Sequence, residues 1–193
     1  MPIYAVIGND RERADAVARA TGGSAYVAVD ESAARDDVPF RTLVVADVAD
    51  PAALAGADEI GTYRVHVRVI RPLPDPPSAG TTSPGVVAVF GMRRHPDLTH
   101  EQADAHWRDV HAPLALHHHV GMWHYEQCSV DEVVRGPSYD GFALCAFASL
   151  EDLRDRFYDG PEGRVAIGAD VASFADTATS PRRVICTETV NRR

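Results

Sequence analysis

The sequence predicts an α+β protein made of two tandem halves that share one element order. Its apolar and amphipathic segments follow the order β-α-β-β-α-β twice, and a stretch rich in proline, glycine and serine separates the two copies. This order is the ferredoxin-like one. We therefore predict two ferredoxin-like halves, at residues 1–70 and 86–193, joined by a linker at residues 71–85.

The N-terminal half begins with a β-rich run at residues 3–7. Asp10 can cap the helix that follows it, and Gly22-Gly23 can end that helix. The remaining predicted elements are strands at 25–29 and 42–46, a short alanine-rich helix at 51–57 and a strand at 63–70. The sequence RPLPDPPSAGTTSP comes next, and its prolines disfavour both a helix and a full ladder of hydrogen bonds.

The C-terminal half repeats the order with a longer helical region after its third strand. Thr99 and Gln102 form a capping box at the start of the first helix, and Ser149 with Asp152 marks the start of another. Gly160-Pro161 breaks the second helical region in two. The predicted strands lie at residues 86–90, 122–128, 142–148 and 184–189.

Several strands are apolar at almost every position, as in residues 86–90. Both faces of such strands are covered. Helices can cover one face, and the sheet of the other half can cover the second, so the two antiparallel sheets are expected to pack as a barrel. A homodimer is the alternative source of the second sheet.

Composition excludes several classes of protein. The 193 residues carry a formal net charge of -9, which argues against nucleic acid as a partner. No stretch resembles a signal peptide or a membrane span, and the odd number of cysteines, 3, lacks CxxC spacing, so we expect a cytoplasmic protein with reduced thiols. All 19 basic residues counted as Lys+Arg are arginine, so no lysine can form a Schiff base.

The sequence predicts neither a cofactor nor a metal. Three consecutive histidines, residues 117–119, are not expected to converge on one ion as helix neighbours at i and i+4 do. The chain lacks a glycine-rich phosphate loop, an HExxH motif and a GxSxG nucleophile elbow.

His111 is the strongest candidate for acid-base chemistry. On a regular helix, Ala103, Trp107, Val110 and Leu114 form the buried stripe, with His111 at its edge. A half-buried imidazole beside an indole can transfer a proton to or from an enolisable substrate. The alternative is that His111 ends the helix just before Pro113 and hydrogen-bonds its last carbonyls or a neighbouring carboxylate.

The second strand of this half carries three further candidates, Trp123, His124 and Tyr125. Strand alternation places His124 on the face opposite to both aromatic residues. Either His124 or the pair Trp123 and Tyr125 therefore lines a pocket, and a core role for the aromatic residues is the alternative.

The order of these motifs resembles the EthD domain family. The resemblance is carried by Met92-Arg93-Arg94, Thr99 to Gln102, Trp107 to Leu114, Gly121 to Tyr125, and then Asp170, Phe174 and Asp176. It implies a dimeric α+β barrel with a pocket between sheet and helices. By the same resemblance Asp170 orients His111, although a surface carboxylate is the alternative. The N-terminal half lacks counterparts of Trp107 and His111 and is expected to be degenerate.

The resemblance implies several activities rather than one. We expect a cofactor-independent enzyme that acts on a small apolar, oxygenated substrate of aromatic or polyketide type. His111 and Asp170 would be catalytic, through proton transfer in a lyase or isomerase reaction or through cofactor-free oxygenation by an oxidoreductase. Trp107, Trp123, His124, Tyr125 and Phe174 would bind the substrate. The alternatives are a non-catalytic barrel that binds a hydrophobic ligand and a haem-binding barrel.

Overall fold

Strands and helices alternate along the chain in a computed structural model that describes residues 1–73, 75 and 77–191. The strands are β1 Ile3–Gly8, β2 Ser24–Ala28, β3 Thr42–Asp47, β4 Gly61–Arg71, β5 Thr81–Thr82, β6 Val86–Met92, β7 Met122–Arg135, β8 Gly141–Phe147 and β9 Val184–Val190. The helices are α1 Arg11–Thr21, α2 Asp30–Ala34, α3 His100–His106, α4 Ala112–His118, α5 Leu150–Asp155 and α6 Pro161–Phe174.

Eight of these strands close into an antiparallel barrel. Their order is β2-β3-β1-β4-β7-β8-β6-β9, and β9 pairs again with β2. The short strand β5 is added to β9. The α+β barrel predicted from the sequence is confirmed, and it closes within one chain.

The two halves of the chain join edge to edge as well as facing each other. Within each half, the strands lie in the order second, third, first, fourth. The first seam is the pairing of β4 with β7, and the second seam is the pairing of β2 with β9. Main-chain hydrogen bonds therefore run around the whole barrel, which leaves β2, β4, β7 and β9 without a free edge.

Apolar side chains fill the interior of the barrel. Alternate residues of each strand point inward, as Ala5 and Ile7 do on β1. At the centre, the rings of Phe40, Tyr63 and Tyr139 surround Phe142, with centroid distances of 5.2 to 6.3 Å. The barrel axis is therefore a packed core, and a ligand site has to lie elsewhere.

Helices cover the outer faces. In the N-terminal half, α1 packs on the outward side chains of β1 and β3. Asp10 caps α1 by accepting a bond from the Arg13 N–H at 3.0 Å, and Gly22 ends it with φ 70°, both as predicted. In the C-terminal half, α4, α5 and α6 cover the sheet. None of the helices in the described ranges has the length and hydropathy to cross a membrane.

Three sequence predictions need correction. The alanine-rich helix at residues 51–57 is a 3-10 turn, Pro51–Leu54, and β7 continues to Arg135. The main chain of residues 129–135 pairs with β4. Their side chains mix apolar and charged residues, so the sequence pattern did not indicate a strand there. Within the predicted linker, Arg71 ends β4 and Thr81–Thr82 forms β5, while Pro74 and Pro76 lie outside the described residues.

Candidate active site

One long helical segment carries most of the candidate residues. Helix α3 begins with the predicted capping box, in which Thr99 accepts from the Gln102 N–H and Gln102 accepts from the Thr99 N–H. It leads into a wider π turn, Trp107–His111, and then into α4. The turn is closed by the Ala112 N–H, which donates to the Trp107 carbonyl. The helix therefore continues past His111, contrary to the alternative in which it ends there, although His111 does contact a neighbouring carboxylate.

The sequence around the π turn explains why the helix widens there. Pro113 has no N–H to donate, and in a continuous α-helix its ring would collide with the carbonyl of Asp109. A π turn departs from the regular ladder at this point, and such turns are frequent at functional sites. It also shifts the buried stripe, because Val110 is 50% exposed whereas His111 and Ala112 are buried.

The π turn brings two histidines to one carboxylate. Residues five apart on an α-helix differ in direction by about 140°, whereas the wider turn directs His106 and His111 to the same side. Asp170 of α6 contacts both rings: its Oδ1 lies 2.7 Å from His106 Nε2, and its Oδ2 lies 2.8 Å from His111 Nδ1. Asp170 thus orients two imidazoles.

His111 has the electrostatics of a neutral base. Burial lowers the pKa of His111, and the hydrogen bond and charge of Asp170 oppose this effect only in part. Because the Asp170 carboxylate accepts, we assign the proton of the neutral ring to Nδ1. Nε2 is then the atom that can accept a proton from a bound molecule.

Sequence reasoning missed His106. Its ring stacks on Phe174 with a centroid distance of 5.1 Å and an interplanar angle of 22°, while Phe174 also contacts the His111 ring at 5.2 Å. The side chain of His106 is 28% exposed, against 10% for that of His111. His106 and His111 are five residues apart, a spacing that does not place two side chains on one face of an α-helix. Pro113, which disfavours a regular helix, was the signal in the sequence that the repeat changes here.

A mostly apolar cavity of about 300 Å³ adjoins His111. It lies between the outer face of the C-terminal sheet and helices α4 and α6. Its polar or titratable lining residues are His111, His119, Tyr125, Cys145, Thr177 and Ser180, and its apolar walls include Phe90, Trp107, Phe157, Ile167, Val171 and Phe174. A cavity of this size and lining suits a small apolar molecule with few polar groups.

A buried hydrogen-bond network fixes one wall of the cavity. Trp107 Nε1 donates to the Tyr125 hydroxyl at 3.0 Å, and Gln127 Nε2 donates to the same hydroxyl at 3.0 Å and to the Trp107 carbonyl at 3.0 Å. Burial raises the pKa of Tyr125. The hydroxyl therefore stays protonated, and because it accepts two bonds its own proton can be donated.

Two further titratable groups line the cavity in neutral form. Burial lowers the pKa of His119 to about 4, although its Nδ1 lies 2.6 Å from the Phe157 carbonyl. Burial also raises the pKa of Cys145 to about 12. Cys145 is therefore a thiol at neutral pH and not a nucleophile.

Trp123 and His124 do not line this cavity. A β-bulge at Trp123, where Met122 and His124 pair with Phe147 and Ala146, interrupts the alternation of β7. Trp123 consequently packs against the core inside the barrel, while Tyr125 faces the cavity. His124 bonds the Arg71 carbonyl through Nδ1 at 2.6 Å.

The structure thus brings together five of the candidate residues, His111, Asp170, Trp107, Tyr125 and Phe174. His124 instead lies 3.4 Å from the buried Glu126 carboxylate. Burial lowers the pKa of His124, but Glu126 and the Arg71 carbonyl raise it overall.

The family comparison agrees with this geometry. The sequence model of the EthD domain matches residues 95–178. The C-terminal half of this chain thus matches the EthD domain over those 84 residues. The matched segment includes His106, His111 and Asp170 and most of the cavity wall. No curated protein sequence matches the chain significantly.

Solved structures resemble the whole chain and not the EthD domain alone. The crystal structure of an anthrone oxidase-like protein has a TM-score of 0.54 and 16% sequence identity, and the alignment covers 98% of this chain and 90% of that one. The haem-degrading enzyme LmHde from Listeria monocytogenes has a TM-score of 0.49 and 11% identity over 96% of this chain and 98% of that one. The first similarity shows a shared fold alone.

Proposed function

We propose that this protein is a cofactor-independent enzyme that removes a proton from a small, apolar, oxygenated aromatic or polyketide-like substrate. The observation that carries the proposal is the 2.8 Å contact between His111 Nδ1 and Asp170 Oδ2 at the wall of an apolar cavity. A neutral imidazole oriented by a carboxylate is a general base.

In this proposal His111 Nε2 accepts the proton from a C–H or O–H group that is conjugated to a carbonyl or an aromatic ring. The Asp170 carboxylate stabilises the imidazolium that forms. The Tyr125 hydroxyl can donate to the oxygen on which negative charge develops. The aromatic walls, with Trp107 and Phe174, hold a flat substrate against the base.

Two reaction classes follow from the same first step. In a lyase or isomerase reaction, the electron pair released by the C–H bond expels water or forms a new double bond. In an oxidoreductase reaction, dioxygen is the co-substrate: a CH₂ group becomes a carbonyl, and the second oxygen atom leaves as water. The description of the similar structure names an anthrone oxidase-like protein. Anthrone, with a CH₂ group of this kind between two aromatic rings, is therefore the first compound to test.

The test measures anthrone consumption with and without air. We expect turnover by the wild type, a loss of about 100-fold or more in His111→Ala, and no loss in the control His66→Ala, whose histidine is exposed on β4. Turnover that needs air and consumes dioxygen indicates oxygenation, whereas turnover under nitrogen indicates a lyase or isomerase. Thermal stabilisation by ligands without turnover of anthrone or of hydroxylated aromatic ketones would show a binding protein and contradict the proposal.

We also propose that the chain consists of two ferredoxin-like units, residues 1–70 and 86–193. The shared strand order of the two halves supports this division. We propose further that the enzyme acts in the cytoplasm. Closure of the barrel within one chain means that a homodimer is not needed to complete the sheet, and light scattering during size exclusion tests whether one forms.

A further inference from the structure

A cluster of metal-ligating side chains lies outside the cavity, where α4 ends. One ring nitrogen from each of His117 and His118 and one carboxylate oxygen of Asp159 all lie within 4.8 Å of one another. The third histidine of the run, His119, turns instead to the Phe157 carbonyl. The cluster therefore forms from two neighbouring histidines and a residue 41 positions beyond His118.

The spacing within this cluster fits the coordination sphere of a transition metal. Ligand atoms about 2.1 Å from a tetrahedral Zn²⁺ ion lie about 3.4 Å apart. His118 Nδ1 and Asp159 Oδ2 are 2.9 Å apart. His117 is exposed, so a rotation of its ring can bring its nitrogen within reach.

The main chain holds the cluster in place. The Asp159 N–H donates to the His118 carbonyl at 2.8 Å. Gly163, in the first turn of α6, provides the space in which the two side chains meet. A Cβ at that position would lie 1.9 Å from Asp159 Oδ1 and 2.7 Å from His118 Nδ1. The side chains of His118 and Asp159 are 15% and 33% exposed, which leaves an approach from solvent.

We propose that His117, His118 and Asp159 form a binding site for one divalent transition-metal ion, of which Zn²⁺ is the test case. Two imidazoles and a carboxylate favour such ions over Mg²⁺ and Ca²⁺, which prefer oxygen ligands alone. Water completes the coordination. When the ion binds through His118 Nδ1, the ring coordinates as a neutral imidazole whose proton lies on Nε2, and the ion takes the place of the Nδ1–Asp159 hydrogen bond.

The position of the site gives the ion a structural role. It links the end of α4 to the segment before α6, and the neighbouring residues Phe157 and Tyr158 line the cavity. Bound metal therefore holds one wall of the cavity against α4. This role is independent of the proposed reaction, because the ion lies outside the His106–Asp170–His111 cluster.

The experiment is calorimetric titration of Zn²⁺ into the full chain, purified without a polyhistidine tag. We expect one ion per chain and at least 10-fold weaker binding in His117→Ala, His118→Ala and Asp159→Asn. Gly163→Ala removes no ligand but displaces the carboxylate, so it is expected to weaken binding as well. Gly168→Ala is the matched control, because a Cβ there meets no atom within 4 Å.

Two variants separate this site from the other histidines. Asp170→Asn alters the candidate active site and His66→Ala removes an exposed histidine, and both are expected to bind Zn²⁺ as the wild type does. Circular dichroism confirms that each variant is folded. Absence of saturable binding, equal binding by the three ligand variants, or loss of binding in Asp170→Asn each overturns the proposal.

Discussion

Arg68 of β4 makes a paired hydrogen bond with Asp104 of α3, with distances of 2.8 and 2.6 Å to the two carboxylate oxygens. The guanidinium also lies 5.7 Å from the centroid of the Trp107 ring and donates to Gln127 at 3.2 Å. The N-terminal half therefore positions the helix that carries the candidate base.

Removal of Arg68 is expected to destabilise the protein. Arg68→Ala leaves Asp104, whose side chain is 18% exposed, without its paired donor, and we expect a loss of about 1–3 kcal/mol in the free energy of unfolding. The matched control on the same strand is Arg64→Ala, because the Arg64–Glu132 pair is exposed and contributes about 1 kcal/mol or less. Urea unfolding measures both, and equal losses would contradict the prediction.

Asp170→Asn is expected to lower the pKa of His111. The Asp170 hydrogen bond and charge both raise that pKa against the effect of burial, so their removal leaves burial less opposed. NMR titration of the imidazole protons measures the change directly. A pKa of His111 that stays the same or rises in the variant would show that Asp170 does not govern this ring.

Stability is expected to fall as the pH decreases from 6.5 towards 4. Burial lowers the pKa of His119 from 6.5 to about 4 in the folded protein. Between these values the unfolded chain binds a proton that the folded protein does not, so the stabilisation is full above pH 6.5 and declines with acid. The loss for this one group is at most about 3 kcal/mol.

The His119→Asn variant isolates this effect. Asparagine can still donate to the Phe157 carbonyl but does not titrate. Urea unfolding at pH 7, 5.5 and 4.5 should therefore show a smaller decline for the variant than for the wild type. Parallel curves would rule out His119 as the source.

Two glycine substitutions are expected to have opposite effects. A Cβ at Gly141 would lie 2.5 Å from Trp107 Cζ3, so Gly141→Ala should displace the indole and cost about 1–3 kcal/mol. Gly168→Ala, inside α6 and free of contacts, should stabilise the protein by about 0.5–1 kcal/mol. Thermal unfolding gives the signs, and tryptophan fluorescence should change in Gly141→Ala alone.

The sequence predicted features that depend on local chemistry. Asp10 and Thr99 cap their helices as expected, because a cap requires one side chain close to its own helix start. The pairing of His111 with Asp170 was also anticipated, but from the family resemblance and not from periodicity. The α+β barrel followed from strands that are apolar on both faces.

Irregularities that interrupt the helical or strand repeat could not be predicted from the periodicity of the sequence. The π turn adds a residue to one helical turn, which exposes Val110 and brings in His106. The bulge at Trp123 does the same in β7 and separates this residue from Tyr125. The π turn borders the cavity and the bulge directly precedes Tyr125, so the regular periods of 3.6 and 2.0 residues fail at or next to the candidate site.

The two seams of the barrel differ in sequence, although each joins the same pair of sheets. The first seam places Arg68 beside the helix of the candidate site, whereas the second joins β2 to β9 through other residues. In a barrel assembled from two identical chains, every substitution would occur at both seams at once. Here a single amino-acid change alters one seam and spares the other, so one half can acquire supporting roles while the other retains the candidate site.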